Sequence, residues 1–258
     1  MVRGRHSAYY AVVAKFVGTA QFRGAEFVDV DMSGAEFREV DLSGARMYGV
    51  LLIGADIDGA INGLRVNGVE VLPLIEAELD RLHPERVALR PTTPDGAREA
   101  WRVVEGFWAT TMQRASALDE AALRRSVNNE WSFVDTLRHL VFVTDSWFRN
   151  AVQAAPKPFY PYGLPASFMS DGEALGIDPT AAPTLDEVLE VRAERLGIVR
   201  SYLDTATAAD LEAIREPGTP GWPPPAPRKA LDCLQVLLNE EWTHHQFAIR
   251  DLAIVERA

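Results

Sequence analysis

Large apolar residues recur at every fifth position near the start of the chain. From Ala20 to Ile57, each unit of five carries one large apolar residue, with Ala or Val two positions earlier. A helix repeats every 3.6 residues and a strand every two, so neither produces a period of five. A fixed period of this kind indicates a repeat architecture. The large residues are Phe22, Phe27, Met32, Phe37, Leu42, Met47, Leu52 and Ile57.

This run resembles the pentapeptide-repeat family, whose chain winds as a right-handed quadrilateral β-helix with one pentapeptide on each side of a coil. The resemblance implies that the large residues and the small residues before them stack inside, while Asp31, Arg38 and Asp41 point outward. Eight units would make about two coils, which is short for a solenoid that buries its faces only against neighbouring repeats.

The resemblance thus predicts a short β-helical stub over residues 1–68. Some long relatives imitate DNA, but residues 1–68 carry seven basic and eight acidic side chains. A role in docking or folding is favoured.

After Val69 the pattern changes to that of amphipathic helices. The stretch LPLIEAELDRLHPERV predicts a connecting helix, and residues 69–93 as a whole read as this helix and a linker. Four longer helical stretches follow, near residues 94–116, 119–153, 184–208 and 228–256.

Two helix starts and one long connection organise this part of the chain. The second stretch is expected to break at SVNNEWS, and Ser132 with Asp135 and Thr184 with Glu187 each predict a capping box. The loop PKPFYPYGLPASFMSDGEALGIDPTAAP is too long for a turn between neighbouring helices. We therefore predict a four-helix bundle over residues 94–258, with a long crossover between its second and third helices.

The aromatic residues of this crossover allow two interpretations. Phe159, Tyr160 and Tyr162 either cover the mouth of a pocket or attach a long loop to the helices. The sequence does not choose between them.

The segment NEEWTHHQF, residues 239–247, sets acids and histidines inside an apolar helical pattern. Because each residue advances by about 100°, Glu241 and His245 fall on the apolar face of the helix. Glu240 points toward solvent or the edge of the bundle, and His244 lies on the flank. A carboxylate on an apolar face is costly unless it is paired, protonated or bound to a cation. We therefore predict that Glu241 and His245 face inward.

A third candidate ligand is His139, in the segment WSFVDTLRHLVFVTDSWF. A second helix could bring it opposite the pair of Glu241 and His245. Two imidazoles and a carboxylate suffice for a metal site with an open coordination position. On spacing alone, a hydrogen-bonded histidine and glutamate pair without metal is the favoured alternative.

Both segments together resemble the DinB-like superfamily of four-helix-bundle metalloproteins, over roughly residues 94–256. This superfamily includes thiol-dependent enzymes such as the mycothiol-dependent maleylpyruvate isomerase. The resemblance implies a divalent metal held by one histidine on the second helix and a pair four apart on the last. His139, Glu241 and His245 match those positions. Many relatives have histidine where Glu241 stands, whereas the isomerase type has glutamate.

The resemblance also bears on chemistry. Such ligands suit Zn²⁺, and also Ni²⁺, Fe²⁺ or Mn²⁺. A transferase or isomerase that uses mycothiol or another small thiol on a small-molecule substrate is favoured. A metal-dependent hydrolase and a non-enzymatic metal-binding or assembly protein are the alternatives.

Composition narrows the partners. The net charge of −11 disfavours nucleic acid and anionic membranes, which attract clustered cations. No segment reaches the roughly 18 apolar residues of a membrane span, and the opening MVRGRHSAYYAVVAKF lacks a convincing cleavage site.

Cys233 is the single cysteine, which excludes an internal disulfide, and its position predicts a small buried residue. We expect a cytoplasmic protein, with apolar edges on both halves that could pair in a homodimer.

Overall fold

A computed structural model describes residues 14–166, 169 and 172–257. Residues 1–13, which form most of the opening segment MVRGRHSAYYAVVAKF, lie outside the described residues. The chain divides into two compact units, the first ending at Tyr48 and the second beginning at Gly49. The division falls within the repeats, and the predicted domain boundary at residue 68 stays a prediction.

The repeats form a regular series of turns. Every ten residues an amide donates to the carbonyl three positions earlier, as Ala35 does to Met32 at 3.0 Å. The residue before each of these amides is a glycine with a φ between 72 and 75°, a conformation that glycine adopts without the steric cost of a Cβ. These glycines are Gly24, Gly34, Gly44 and Gly54.

The large residues of the repeats lie at the surface. Phe22 is 40% exposed and Phe37 is 60% exposed, and every described residue from 14 to 60 is exposed. Within that range the described backbone contains no strand, and its backbone hydrogen bonds close turns rather than join successive coils. These side chains are therefore not buried as the resemblance implied, although the ring of Phe22 lies 4.8 Å from that of Phe16 and 6.0 Å from that of Phe27. A stub of about two coils offers each repeat few neighbours against which to bury a side chain.

A short hairpin follows the repeats. β1 (Arg65–Val66) pairs with β2 (Val69–Glu70) in antiparallel register. The two connecting residues, Asn67 and Gly68, both have positive φ, as a tight two-residue hairpin turn requires. The hairpin leads into α1 (Leu72–Leu82), which is the predicted connecting helix, and a 3₁₀ helix (Pro84–Leu89).

Four long helices form the hydrophobic core of the remaining chain. They are α2 (Pro94–Ala115), α4 (Phe133–Thr144), α5 (Leu185–Thr205) and α7 (Ala230–Val255). α2 and α4 each pack against both α5 and α7, so the four share one apolar interior. Among the described helices, none combines the length and apolarity needed to cross a membrane.

Shorter elements connect these helices. α3 (Glu120–Leu123) precedes the predicted break, and α4 continues directly into a π-helix (Asp145–Asn150). The crossover contains a short 3₁₀ helix (Gly172–Leu175). α6 (Ala208–Glu212) and the antiparallel pair β3 (Ile214–Arg215) and β4 (Arg228–Lys229) then lead into α7.

Both predicted helix starts are capped, but only one cap is a full capping box. The hydroxyl of Ser132 accepts from the backbone amide of Asp135 at the start of α4, whereas the carboxylate of Asp135 accepts from this hydroxyl at 2.6 Å instead of from the amide of Ser132. Thr184 and Glu187 form the reciprocal capping box at the start of α5. These side chains satisfy amides that a helix cannot pair within itself, so the sequence sets where each helix begins.

The aromatic residues of the crossover attach it to α4. Phe159 is buried and stacks on Phe142, with ring centroids 5.9 Å apart. Tyr160 meets Tyr162 edge to face at 5.2 Å, and the guanidinium of Arg195 lies 5.3 Å from the Tyr160 ring. Of the two interpretations, attachment of the loop is the one these contacts support.

Candidate metal centre

Three potential metal ligands meet between α4 and α7. His139 lies on α4, and Glu240 and His244 lie four residues apart on α7. One nitrogen or oxygen from each of these side chains lies within 4.8 Å of those from the other two. His139 is buried, and the side chains of His244 and Glu240 are 12% and 30% exposed. The cluster therefore sits at the edge of the helical core, with its carboxylate nearest to solvent.

The ring of His139 is held by the crossover. Its Nδ1 lies 2.8 Å from the carbonyl oxygen of Leu164. A carbonyl can only accept a hydrogen bond, so Nδ1 carries the proton of the neutral ring. Nε2 then keeps its lone pair for a ligand.

His244 is oriented by its own helix. Its Nδ1 donates to the carbonyl oxygen of Glu240 at 3.0 Å and lies 3.3 Å from the carboxylate oxygen Oε2 of the same residue. Nε2 of His244 is again the nitrogen left with a lone pair. The spacing of four residues places the two side chains on one line of the helix surface.

Aromatic rings enclose the two imidazoles. The ring of Trp131 lies 4.6 Å from that of His139 and 6.3 Å from that of His244, and the two imidazoles are 4.6 Å apart. Phe142 and Phe247 border the same pair at 6.0 and 5.8 Å. Rings packed this closely restrict both imidazole orientation and water access.

Burial favours the neutral forms of all three candidate ligands. Burial, with a smaller contribution from His244, lowers the pKa of His139 to about 3, and burial also lowers the pKa of His244. Burial, followed by the neighbouring charge of Glu241, raises the pKa of Glu240 to about 7. Both imidazoles are therefore in the unprotonated state that can bind a metal.

The predicted partner Glu241 lies elsewhere. It is fully buried, but its Oε2 accepts from Nε1 of Trp108 at 2.8 Å and from Nη2 of Arg192. Arg192 is itself buried on α5. The carboxylate on the apolar face is thus stabilised by an arginine and an indole.

The predicted ligand His245 also faces away from the cluster. Its Nε2 lies 2.7 Å from the hydroxyl of Thr111, and its ring packs 4.3 Å from that of Phe107 on α2. Within the described part of the chain, His139, Glu240 and His244 are the one group of three histidine, cysteine, aspartate or glutamate side chains whose ligand atoms lie this close together. The structure therefore brings His139 to Glu240 and His244 instead of to Glu241 and His245.

A family comparison covers this same region. The model of the DinB superfamily matches residues 104–248, which is 145 of 258 residues and thus more than half of the chain. The chain belongs to the DinB superfamily. The match to this DinB domain includes His139, Glu240 and His244. A second model, for pentapeptide repeats, matches eight copies over residues 20–54. No curated protein and no solved structure matches the chain significantly.

The donor set of this DinB domain fits a divalent metal. Two neutral imidazoles and one carboxylate are a familiar ligand set for Zn²⁺ and related ions, and they leave room for a further ligand. DinB membership independently suggests a metal-binding protein.

The sequence contains a signal for Glu240 and His244, although the helical period places them away from the apolar face. Glu240 and His244 have the same spacing as Glu241 and His245, displaced by one residue. The two pairs point about 100° apart, so each meets a different neighbouring helix. Arg192, which is buried on α5, gives the inward acid Glu241 a partner other than a metal.

Proposed function

We propose that His139, Glu240 and His244 bind a divalent metal ion and that the protein is a metal-dependent enzyme acting with a small thiol. The observation that carries the metal site is the meeting of the three ligand atoms within 4.8 Å. This ligand set replaces the one expected from the sequence. The Nε2 lone pairs of both imidazoles and the carboxylate of Glu240 are available for the ion.

The metal would supply Lewis acidity, lowering the pKa of a thiol or water so that its anion forms near neutral pH. The protein's own residues prepare the place where this happens. The carboxylate of Glu240 offsets part of the cationic charge, and Leu164 orients His139. Trp131 covers the imidazoles, while the partly exposed side of Glu240 leaves an approach for a small molecule.

A thiol co-substrate is favoured by the nature of the ligand pair. The isomerase type of the superfamily carries glutamate and histidine four apart on the last helix, and Glu240 with His244 retain that combination. The substrate is a small molecule, and mycothiol is the first thiol to test. Zn²⁺ is the first metal to test.

Metal analysis of α7 variants tests the site directly. Wild type is expected to hold one metal ion per chain, and His244→Ala is expected to lose it. His245→Ala is the matched control, one residue further along the same helix, and should keep the metal. Loss of metal from His245→Ala with retention in His244→Ala would refute the ligand assignment.

Thiol assays test the activity. The metal-loaded protein is expected to accelerate thiol transfer or isomerisation with mycothiol, and His139→Ala is expected to reduce the rate to background. Acceleration of ester or amide hydrolysis without any thiol would instead support the hydrolase alternative.

We infer that α2, α4, α5 and α7 are the four helices of a bundle, supported by their pairwise packing. We also infer that the repeats act as a docking or folding module, for which a quadrilateral β-helix remains the family expectation.

A further inference from the structure

Residues 158–164 of the crossover, here called the crossover segment, lie along α4 and its π-helical extension. Polar contacts at every second residue of the segment join it to α4 and the π-helix. Arg149 donates to the carbonyl of Pro158, the amide of Tyr160 donates to Asp145 at 2.8 Å, and Arg138 donates to the carbonyl of Tyr162 at 3.1 Å.

The contacts end at the candidate metal centre. The amide of Leu164 donates to the carbonyl of Arg138 at 3.2 Å, and the carbonyl of Leu164 accepts from Nδ1 of His139 at 2.8 Å. Leu164 is therefore fixed to two consecutive residues of α4. Its carbonyl has little freedom to leave the imidazole unless the segment moves as a whole.

Asp145 anchors the middle of the segment. The carboxylate is fully buried and accepts from Nε of Arg195 at 2.6 Å as well as from the amide of Tyr160. It begins the π-helix, a form that is rare and is often found at functional sites. Through Asp145, the crossover segment is connected to α5 as well as to α4.

Gly163 allows the segment to approach α4 closely. A Cβ at this position would lie 3.2 Å from the carbonyl oxygen of Tyr160 and 3.4 Å from Cβ of Phe142. Its φ is outside the left-handed region, so the backbone conformation itself does not demand glycine. The requirement is one of space, and it falls on the residue before Leu164.

We propose that the crossover segment is a positioning element for the metal centre, with Gly163 as its positioning residue. Close packing at Gly163 holds the Leu164 carbonyl on Nδ1 of His139, which fixes the tautomer that presents Nε2. This inference rests on the proposed metal site. Partners of metal-binding histidines orient the ring and tune its basicity, and their loss typically weakens metal binding by roughly 10- to 100-fold.

Two valine variants form a matched test. Gly163→Val would crowd both the carbonyl of Tyr160 and the side chain of Phe142 on α4 and so displace the segment, whereas a Cβ at Gly197 on α5 meets nothing within 4 Å. We expect Gly163→Val to bind Zn²⁺ roughly 10- to 100-fold more weakly than wild type in a chelator competition. The absorption spectrum of its Co²⁺ form should also shift, while Gly197→Val should keep the wild-type affinity and spectrum.

The tautomer can be read without any metal. In metal-free protein labelled with ¹⁵N-histidine, the His139 signals are identified by their loss in His139→Gln. In wild type and Gly197→Val, Nδ1 of His139 should be protonated and Nε2 unprotonated. Gly163→Val should show a mixture of the two tautomers. If Gly163→Val does not fold, Gly163→Ala should move the same measurements in the same direction by a smaller amount.

The outcomes separate the two proposals. A wild-type protein that binds no metal would refute the proposed function. A folded Gly163→Val or Gly163→Ala that keeps wild-type affinity, Co²⁺ spectrum and tautomer would refute only the positioning role. Equal losses in Gly163→Val and Gly197→Val would also refute it, because the effect would then not depend on the contact with α4.

Discussion

Two faces of α7 carry the same pair of residue types at the same spacing and place them in different surroundings. Glu240 and His244 meet His139 at the edge of the core, with part of the carboxylate exposed. Glu241 and His245, one residue further along, are buried and meet Arg192 and Thr111.

The difference shows that depth of burial does not by itself identify a ligand. Inside the core, Glu241 already has a permanent cation in Arg192, so a second cation there would be repelled. At the edge, the imidazoles beside Glu240 are neutral, and among the described residues none supplies it with a permanent cation. A metal therefore suits the shallower pair better than the deeper one.

The largest expected effect comes from breaking the buried pair. Glu241→Ala leaves the buried guanidinium of Arg192 without its carboxylate and should lower the free energy of unfolding by about 3–5 kcal/mol. Glu240→Ala is the matched control and should change the stability of the metal-free protein by about 1 kcal/mol or less. Urea denaturation of the two metal-free variants measures both. Equal losses would mean that the two faces do not differ as described.

Replacing both members of the buried pair should be less damaging than removing one. Apolar side chains of similar volume often substitute for a buried ion pair at little cost. Arg192→Met combined with Glu241→Leu should therefore recover most of the loss, although Trp108 keeps no acceptor for its Nε1. A double-mutant cycle measures the coupling between the two sites. Strictly additive losses would argue that the charges do not act as a pair.

Part of the candidate site could be predicted from the sequence. The helical period placed Glu241 and His245 on the buried face, and both are buried. It also singled out His139. The period tells which side chains face inward but not which helix they meet, because that depends on how the four long helices pack together. Arg192 reaches Glu241 from a helix nearly fifty residues away in the chain, a distance that local patterns do not encode.

The fold likewise has features that the sequence predicts and features that it does not. The four long helices and their caps followed from period and capping residues, because those signals are local. The five-residue period also identified the repeats, which the family comparison supports. Burial within the repeats did not follow, since Phe22 and Phe37 remain exposed. Burial in a solenoid depends on stacked neighbours, which a local period cannot supply.

A smaller effect is expected at His245, which lies on the same face of α7 as Glu241. His245→Ala removes the contact with the hydroxyl of Thr111 and the packing against Phe107. We expect a loss of about 1–2 kcal/mol in thermal or urea denaturation of the metal-free protein. His244→Ala should cost less there, because its Nδ1 bonds only within its own helix. A greater loss for His244→Ala in the absence of metal would reverse the comparison.

The smallest effect concerns Cys233, which is buried earlier on α7. Burial raises the pKa of its thiol from 9.0 to about 11, so the unfolded state loses its proton first as the pH rises. The thiol should therefore resist labelling in the folded protein at pH 8. Wild type should also lose about 1 kcal/mol relative to Cys233→Ala between pH 8 and pH 10. Denaturation curves of both proteins across this range measure the difference. Rapid labelling of the native thiol, or parallel pH profiles for the two proteins, would show that this part of α7 is open to solvent.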